Sequence, residues 1–153
     1  MRPLKPEPLR LRAEAAADYD VISACLQDAL MPLSEMAYLD EEARFVAVFD
    51  RFTWEACAPG NNPRPKFVVQ AVLRFEGVSA VRLHAVDQTA SSELLELLTI
   101  VPEGDGVRLM FAGGGALRLE GERLTCFVED LLEPRLATLA PVHDVPVPGE
   151  DLP

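Results

Sequence analysis

From 67 to 75 every second residue is apolar (Phe67, Val69, Ala71, Leu73, Phe75), while Gln70 and Arg74 fall on the other parity. Strand side chains alternate between faces, so this run has one face to bury and one to solvate. The same alternation returns in Val81, Leu83 and Ala85 against Arg82 and His84, in Val107-Arg108-Leu109-Met110-Phe111, in Leu117-Arg118-Leu119-Glu120, and in Leu124, Cys126 and Val128. Short turn sequences join several of these runs. Residues 102–106 and 112–115 have the glycine content and length of hairpin connections, so the chain is expected to build an antiparallel sheet with one buried side.

Two runs end alike, in Leu73-Arg74-Phe75-Glu76-Gly77 and Leu117-Arg118-Leu119-Glu120-Gly121. Each follows a hairpin-like pair, which suggests two related β units, 36–83 and 95–128, the first carrying a proline-rich loop as an insertion. The glycines read as backbone devices that let a sheet bend.

One helix precedes the strands. Val21, Ile22, Cys25, Leu26, Ala29 and Leu30 fall at steps of three and four from Asp18, with Asp18 or Asp20 placed to cap it and Pro32 to stop it near Leu30. Before it, residues 1–17 read as an extended lead-in able to lay a strand on the body. After it, 33–39 and 44–54 read as strands joined by a polar turn, the second buried on both faces and ending in a bulge at Asp50 and Arg51. Residues 55–66 hold three prolines and form a loop. The stretch 92–101 is ambiguous by periodicity, and the hairpin turn that follows it favours strand. The expected fold is therefore α+β and mostly β. One N-terminal amphipathic helix packs on a bent antiparallel sheet, or a partly closed barrel, of about seven or eight strands. Residues 1–133 form a single domain, and 134–153 a proline-rich, acidic, exposed tail.

Composition narrows the partners. Twenty-five acidic residues against fourteen basic ones give a formal charge of −11, which repels phosphate backbones and anionic lipid, so neither nucleic acid nor membrane is expected. No apolar run reaches the roughly 20 residues of a membrane-spanning helix, and no apolar segment of a secretory signal follows the basic start, which makes the cytoplasm the expected setting. Cys25, Cys57 and Cys126 lie far apart and form no C-x-x-C pair, the pattern of buried thiols rather than of a disulfide framework or zinc site.

No motif rises to a reaction. Gly113-Gly114-Gly115 lacks the following helix and lysine of a phosphate loop, and no G-x-S-x-G nucleophile elbow accompanies it. The carboxylates gather in turn sequences without metal-ligand spacing, so no cofactor, metal or catalytic residue is assigned. The candidates for contact with a ligand or partner are the strand-borne Arg51, Arg74, Arg82, His84 and Arg118, together with Trp54, whose more ordinary role is closing a core.

Val21-Ile22-Ser23-Ala24-Cys25-Leu26-Gln27-Asp28-Ala29, the Tyr38-Leu39 and Arg44-Phe45 hairpin, Arg51-Phe52-Thr53-Trp54-Glu55, and Phe111-Ala112-Gly113-Gly114-Gly115-Ala116-Leu117-Arg118-Leu119 together resemble a bacterial family, domain of unknown function 2948. The resemblance runs from about Leu9 to Leu131. It implies a single-domain bacterial protein and carries no functional residues with it. The function expected is a small non-catalytic binding or accessory module acting through protein contacts. Alternatives are a small-molecule binder or enzyme whose site gathers the strand-borne arginines and histidine, and a homodimer paired through an exposed edge near 67–75.

Overall fold

The computed structural model describes residues 7–56, 65, 67–87, 93–133 and 135–136. Their elements in chain order are β1 (Arg10–Ala13), α1 (Asp18–Cys25), β2 (Leu30–Pro32), β3 (Met36–Leu39), β4 (Arg44–Phe52), β5 (Phe67–Glu76), β6 (Ala80–His84), β7 (Leu94–Glu103), β8 (Gly106–Phe111), β9 (Ala116–Glu120), β10 (Thr125–Asp130) and β11 (Arg135–Leu136). Single 3₁₀ turns lie at Leu33–Glu35, Asp40–Glu42 and Trp54–Ala56. The protein is mostly β with one helix, as its alternation requires. Strands among the described residues number eleven rather than seven or eight, because the lead-in supplies β1 and because β2 and β11 are too short to show a period.

All eleven strands form one antiparallel sheet in the order β1-β10-β5-β4-β2-β7-β8-β9-β6, with β3 also on β4 and β11 also on β5. The sheet does not close. It bends so that the inner faces of both halves share one core: Phe45, Phe49, Leu73 and Phe75 from one side, and Leu97, Leu109, Phe111, Leu117 and Leu119 from the other. Helix α1 adds Tyr19 and Ile22 to that core, Tyr19 stacking on Phe75 with ring centroids 6.4 Å apart.

The strand path repeats. β3, β4 and β5 pair in sequence, after which β6 leaves to pair with β9; β7, β8 and β9 pair in sequence, after which β10 leaves to pair with β5. Each half thus hands its fourth strand to the other. The two LR-x-EG segments end β5 and β9 where these exchanged strands depart, and their glycines meet there. A Cβ on Gly121 would lie 2.2 Å from the Gly77 carbonyl oxygen, and one on Gly77, at φ +87°, would lie 2.7 Å from that of Arg123. Two backbones cross at a distance that admits no side chain, so these glycines permit a crossing rather than a bend.

Three local expectations are corrected. Helix α1 ends at Cys25 rather than near Leu30, and Asp28, at φ 62°, turns the chain into β2, where Met31 is buried opposite Leu95. Pro32 lies inside that strand and is not the stop. Neither Asp18 nor Asp20 caps the helix. Asp18 Oδ2 instead accepts from the amides of Glu14 and Ala15 at 3.1 Å each, bonds that hold its carboxyl below the ordinary range. Finally, the register of β4 on β5 is unbroken from Arg44 opposite Glu76 to Phe52 opposite Val68, so no bulge occurs at Asp50 and Arg51. The sheet's irregularity lies between Leu97 and Thr99 in β7. There the ladder with β2 has ended, and the Ser23 hydroxyl takes its place, accepting from Ile100 N at 3.0 Å and donating to Ile100 O at 3.1 Å. One helix side chain covers an edge that a missing strand would leave open.

The expected dimerisation edge is not exposed. β5 carries β4 on one side and β10 and β11 on the other, so 67–75 is interior, and the sheet's terminal strands are β1 and β6. The proline loop and the tail lie mostly outside the described residues. Of the tail, Arg135–Leu136 is seen as the exposed β11 on β5.

Candidate binding groove

Alternation places Arg51 on the same parity as Phe45, Ala47 and Phe49, and it points inward with them. Its side chain is 0% exposed. Asp130, at the end of β10, meets it in a fork: Nε donates to Oδ1 at 2.8 Å and an Nη2 hydrogen to Oδ2 at 2.9 Å. Glu55, one helical turn on in the chain, accepts from Nη1 at 2.9 Å and from Nη2 at 2.8 Å, and the Phe52 carbonyl takes the remaining Nη1 hydrogen at 3.3 Å. All five guanidinium donors are therefore used. Burial works against the charge, but the bonds to Asp130 and Glu55 outweigh it and raise the Arg51 pKa above its ordinary value. Asp130 Oδ2 also accepts from Leu9 N at 2.7 Å, tying the chain just before β1 to the same centre.

Above this centre the Trp54–Ala56 turn faces α1 and leaves an open groove of about 440 Å³, lined by Asp20, Val21, Ala24, Cys25, Trp54 and Glu55. Val21, expected on the buried helix stripe, is 55% exposed, because the face that meets the core runs through Tyr19 and Ile22, three residues apart, and Val21 lies off it. Trp54 is half-buried and stands outside the main core, its Nε1 donating to the Gln27 carbonyl at 2.6 Å. The Asp20 carboxylate is exposed and makes no bond within the described residues. The thiol of Cys25, half-buried in the groove wall, is pushed up by burial and then by the negative charge of Glu55, which makes it a weak nucleophile. Cys126 is buried in the core, while Cys57 lies outside the described residues.

The other candidates lie elsewhere. Arg74 sits on the outer face of β5, its guanidinium carbon 4.2 Å from the ring centre of Phe127, with Arg12 over the same ring at 5.4 Å. Arg74 and Arg44 both pair with Glu76. On the outer face of the other half, Arg82, Arg118 and Arg108 stand directly opposite one another across β6, β9 and β8. Glu120 bonds Arg82 at 2.8 Å, and Glu103 takes Arg108 at 3.0 Å and Arg118 at 3.3 Å. His84 is exposed two residues along β6. The structure thus joins Arg51 to Trp54 at one corner and Arg82 to Arg118 and His84 on one face, with Arg74 apart from both. Sequence reasoning missed Asp130, Glu55, Asp20 and Val21. Only Glu55 left a signal, its spacing of four from Arg51.

Among the described residues no group of three or more histidine, cysteine, aspartate or glutamate side chains is placed to hold a metal. No helix among them is long and apolar enough to cross a membrane. What the groove offers is an apolar, solvent-open surface beside the carboxylates of Asp20 and Glu55. The model of the family described as protein of unknown function (DUF2948) matches residues 9–143, and the chain belongs to that family. No curated protein and no solved structure matches it.

Proposed function

We propose that the protein is a non-catalytic binding or accessory module acting through protein contacts, with the groove between α1 and the Trp54–Ala56 turn as its contact surface. The observation that carries this reading is the wall of that groove. Val21 is more than half exposed beside Ala24 and a tryptophan pinned through its ring nitrogen, on a rigid corner held by the Arg51–Asp130–Glu55 centre. A preformed apolar surface of this kind loses little entropy when a partner covers it. We infer a bacterial, cytoplasmic setting, consistent with the unpaired thiols of Cys25 and Cys126.

The test is affinity capture from native lysate with the full chain and its Val21→Glu variant, each verified as folded by thermal melting. A partner retained by the parent chain and lost with Val21→Glu is expected. Recovery of the same partners by both, or of none under gentle washing, would refute the groove as contact surface.

A further inference from the structure

We propose that the groove's occupant is a peptide segment of a partner protein carrying a lysine or arginine flanked by apolar residues, the basic side chain entering between Asp20 and Glu55 and beside Trp54. This inference rests on the reading above and adds the chemistry of the partner. Charge is its first support. Among the described residues, the side chains lining the groove include two carboxylates and no base, and the centre beneath sets one guanidinium, Arg51, against the carboxylates of Asp130 and Glu55. Asp20, Glu55 and Asp130 against Arg51 leave these four described residues with two net negative charges, and Asp20 is unengaged within the described residues. Burial raises the Cys25 thiol pKa first and the Glu55 carboxylate raises it further, with Arg51 opposing that rise.

Capacity for a second hydrogen bond is the next support. Each Glu55 oxygen accepts one bond from Arg51, and an sp² carboxylate oxygen has a second lone pair to offer. The Glu55 side chain is 30% exposed, so those lone pairs are reachable from the groove, whereas Asp130, at 1%, is sealed beneath. Trp54 then favours a cation over a neutral polar group, because an aromatic ring attracts a cation within about 6 Å of its centre. The apolar flanks follow from Val21 and Ala24, which would cover the aliphatic stem and its neighbours. The chain's charge of −11 steers a basic partner toward it and repels an acidic one.

The test is a selection from a random twelve-residue peptide library displayed on phage, with the full-length protein as bait and the folded variants Asp20→Asn, Asp20→Lys and Val21→Glu in parallel. Enriched peptides are expected to hold a lysine or arginine between apolar residues and to be lost with Val21→Glu. One enriched peptide, made synthetically, should bind about ten-fold more weakly to Asp20→Lys, and its counterpart with glutamate for the basic residue should not bind. Enrichment of neutral or acidic peptides that still depend on Val21 would overturn the basic preference and leave the groove reading standing. Enrichment indifferent to Val21→Glu, or no enrichment at all, would overturn both.

Discussion

Arginines on β4 and on β6, β8 and β9 occupy similar places in an alternating strand and meet opposite fates. Arg51 faces the core, with five donors filled by two carboxylates and a carbonyl, and its loss would strand Asp130 in the interior. Arg82, Arg118 and Arg108 face outward in a row, where like charges directly opposite repel and two glutamates, Glu120 on Arg82 and Glu103 shared by Arg108 and Arg118, offset the repulsion. The difference teaches that charge type says little about an arginine's role until its face and its long-range partner are known. An inward arginine organises the fold. Outward ones adjust its surface.

That contrast can be broken most directly at the buried pair. Arg51→Met should lower unfolding free energy by about 3–5 kcal/mol, the loss typical when one member of a buried ion pair is removed, read by urea denaturation. A loss below about 1 kcal/mol would mean that water reaches the centre. Next comes the edge that one hydroxyl covers. Ser23→Ala leaves both polar groups of Ile100 without that partner and should cost about 1–3 kcal/mol, with faster amide exchange at Ile100.

A buried polar group lacking a bond gives the opposite sign. The Tyr19 hydroxyl is buried against Phe75 without a hydrogen-bond partner in the described structure, so Tyr19→Phe should stabilise the protein by about 1 kcal/mol. Burial also raises the pKa of Tyr19 and of Cys126 above their ordinary 10.0 and 9.0. The unfolded chain therefore loses these protons first, and binds fewer than the native chain once pH exceeds about 9. The stabilisation is complete below that point and declines as pH rises further. Thermal melts from pH 8 to 11 should show the decline, and Tyr19→Phe should flatten it above pH 10. The smallest effect belongs to the outer row. Arg118→Gln removes an exposed ion pair and a like-charge neighbour together, and should change stability by no more than about 0.5 kcal/mol at moderate salt.

Much of the fold was legible because period-two alternation survives in β5, β8, β9 and β10, where one face is buried and the other wet. Helix α1 was legible in place but not in length, since Ala29 and Met31 are apolar whether they continue a helix or start a strand. The site is less legible. Strict parity along β4 places Arg51 inward, but a charged residue on a core face looked like an interruption, and nothing near it in sequence points to Asp130, 79 residues away. The LR-x-EG pair was visible at once, yet that its glycines lie against each other depends on strand exchange, which local sequence does not encode. We propose that the shared strand path reflects duplication of 36–83 and 95–128; Cα superposition of the two after omitting the proline loop should align β3, β4 and β5 on β7, β8 and β9, and failure to align them would leave chance as the explanation.

The exchanged strands also set a timetable. β5 receives β10 only after Thr125 has been made, 49 residues beyond Glu76, so one border of β5 has no neighbour to take while that length is synthesised. At roughly 5–20 residues per second the interval is about 2.5 to 10 seconds, during which the emerging chain carries an incomplete sheet with an open strand edge. A message that slowed the ribosome between the codons for Gly77 and Thr125 would prolong that exposure, and one that hurried it would shorten it.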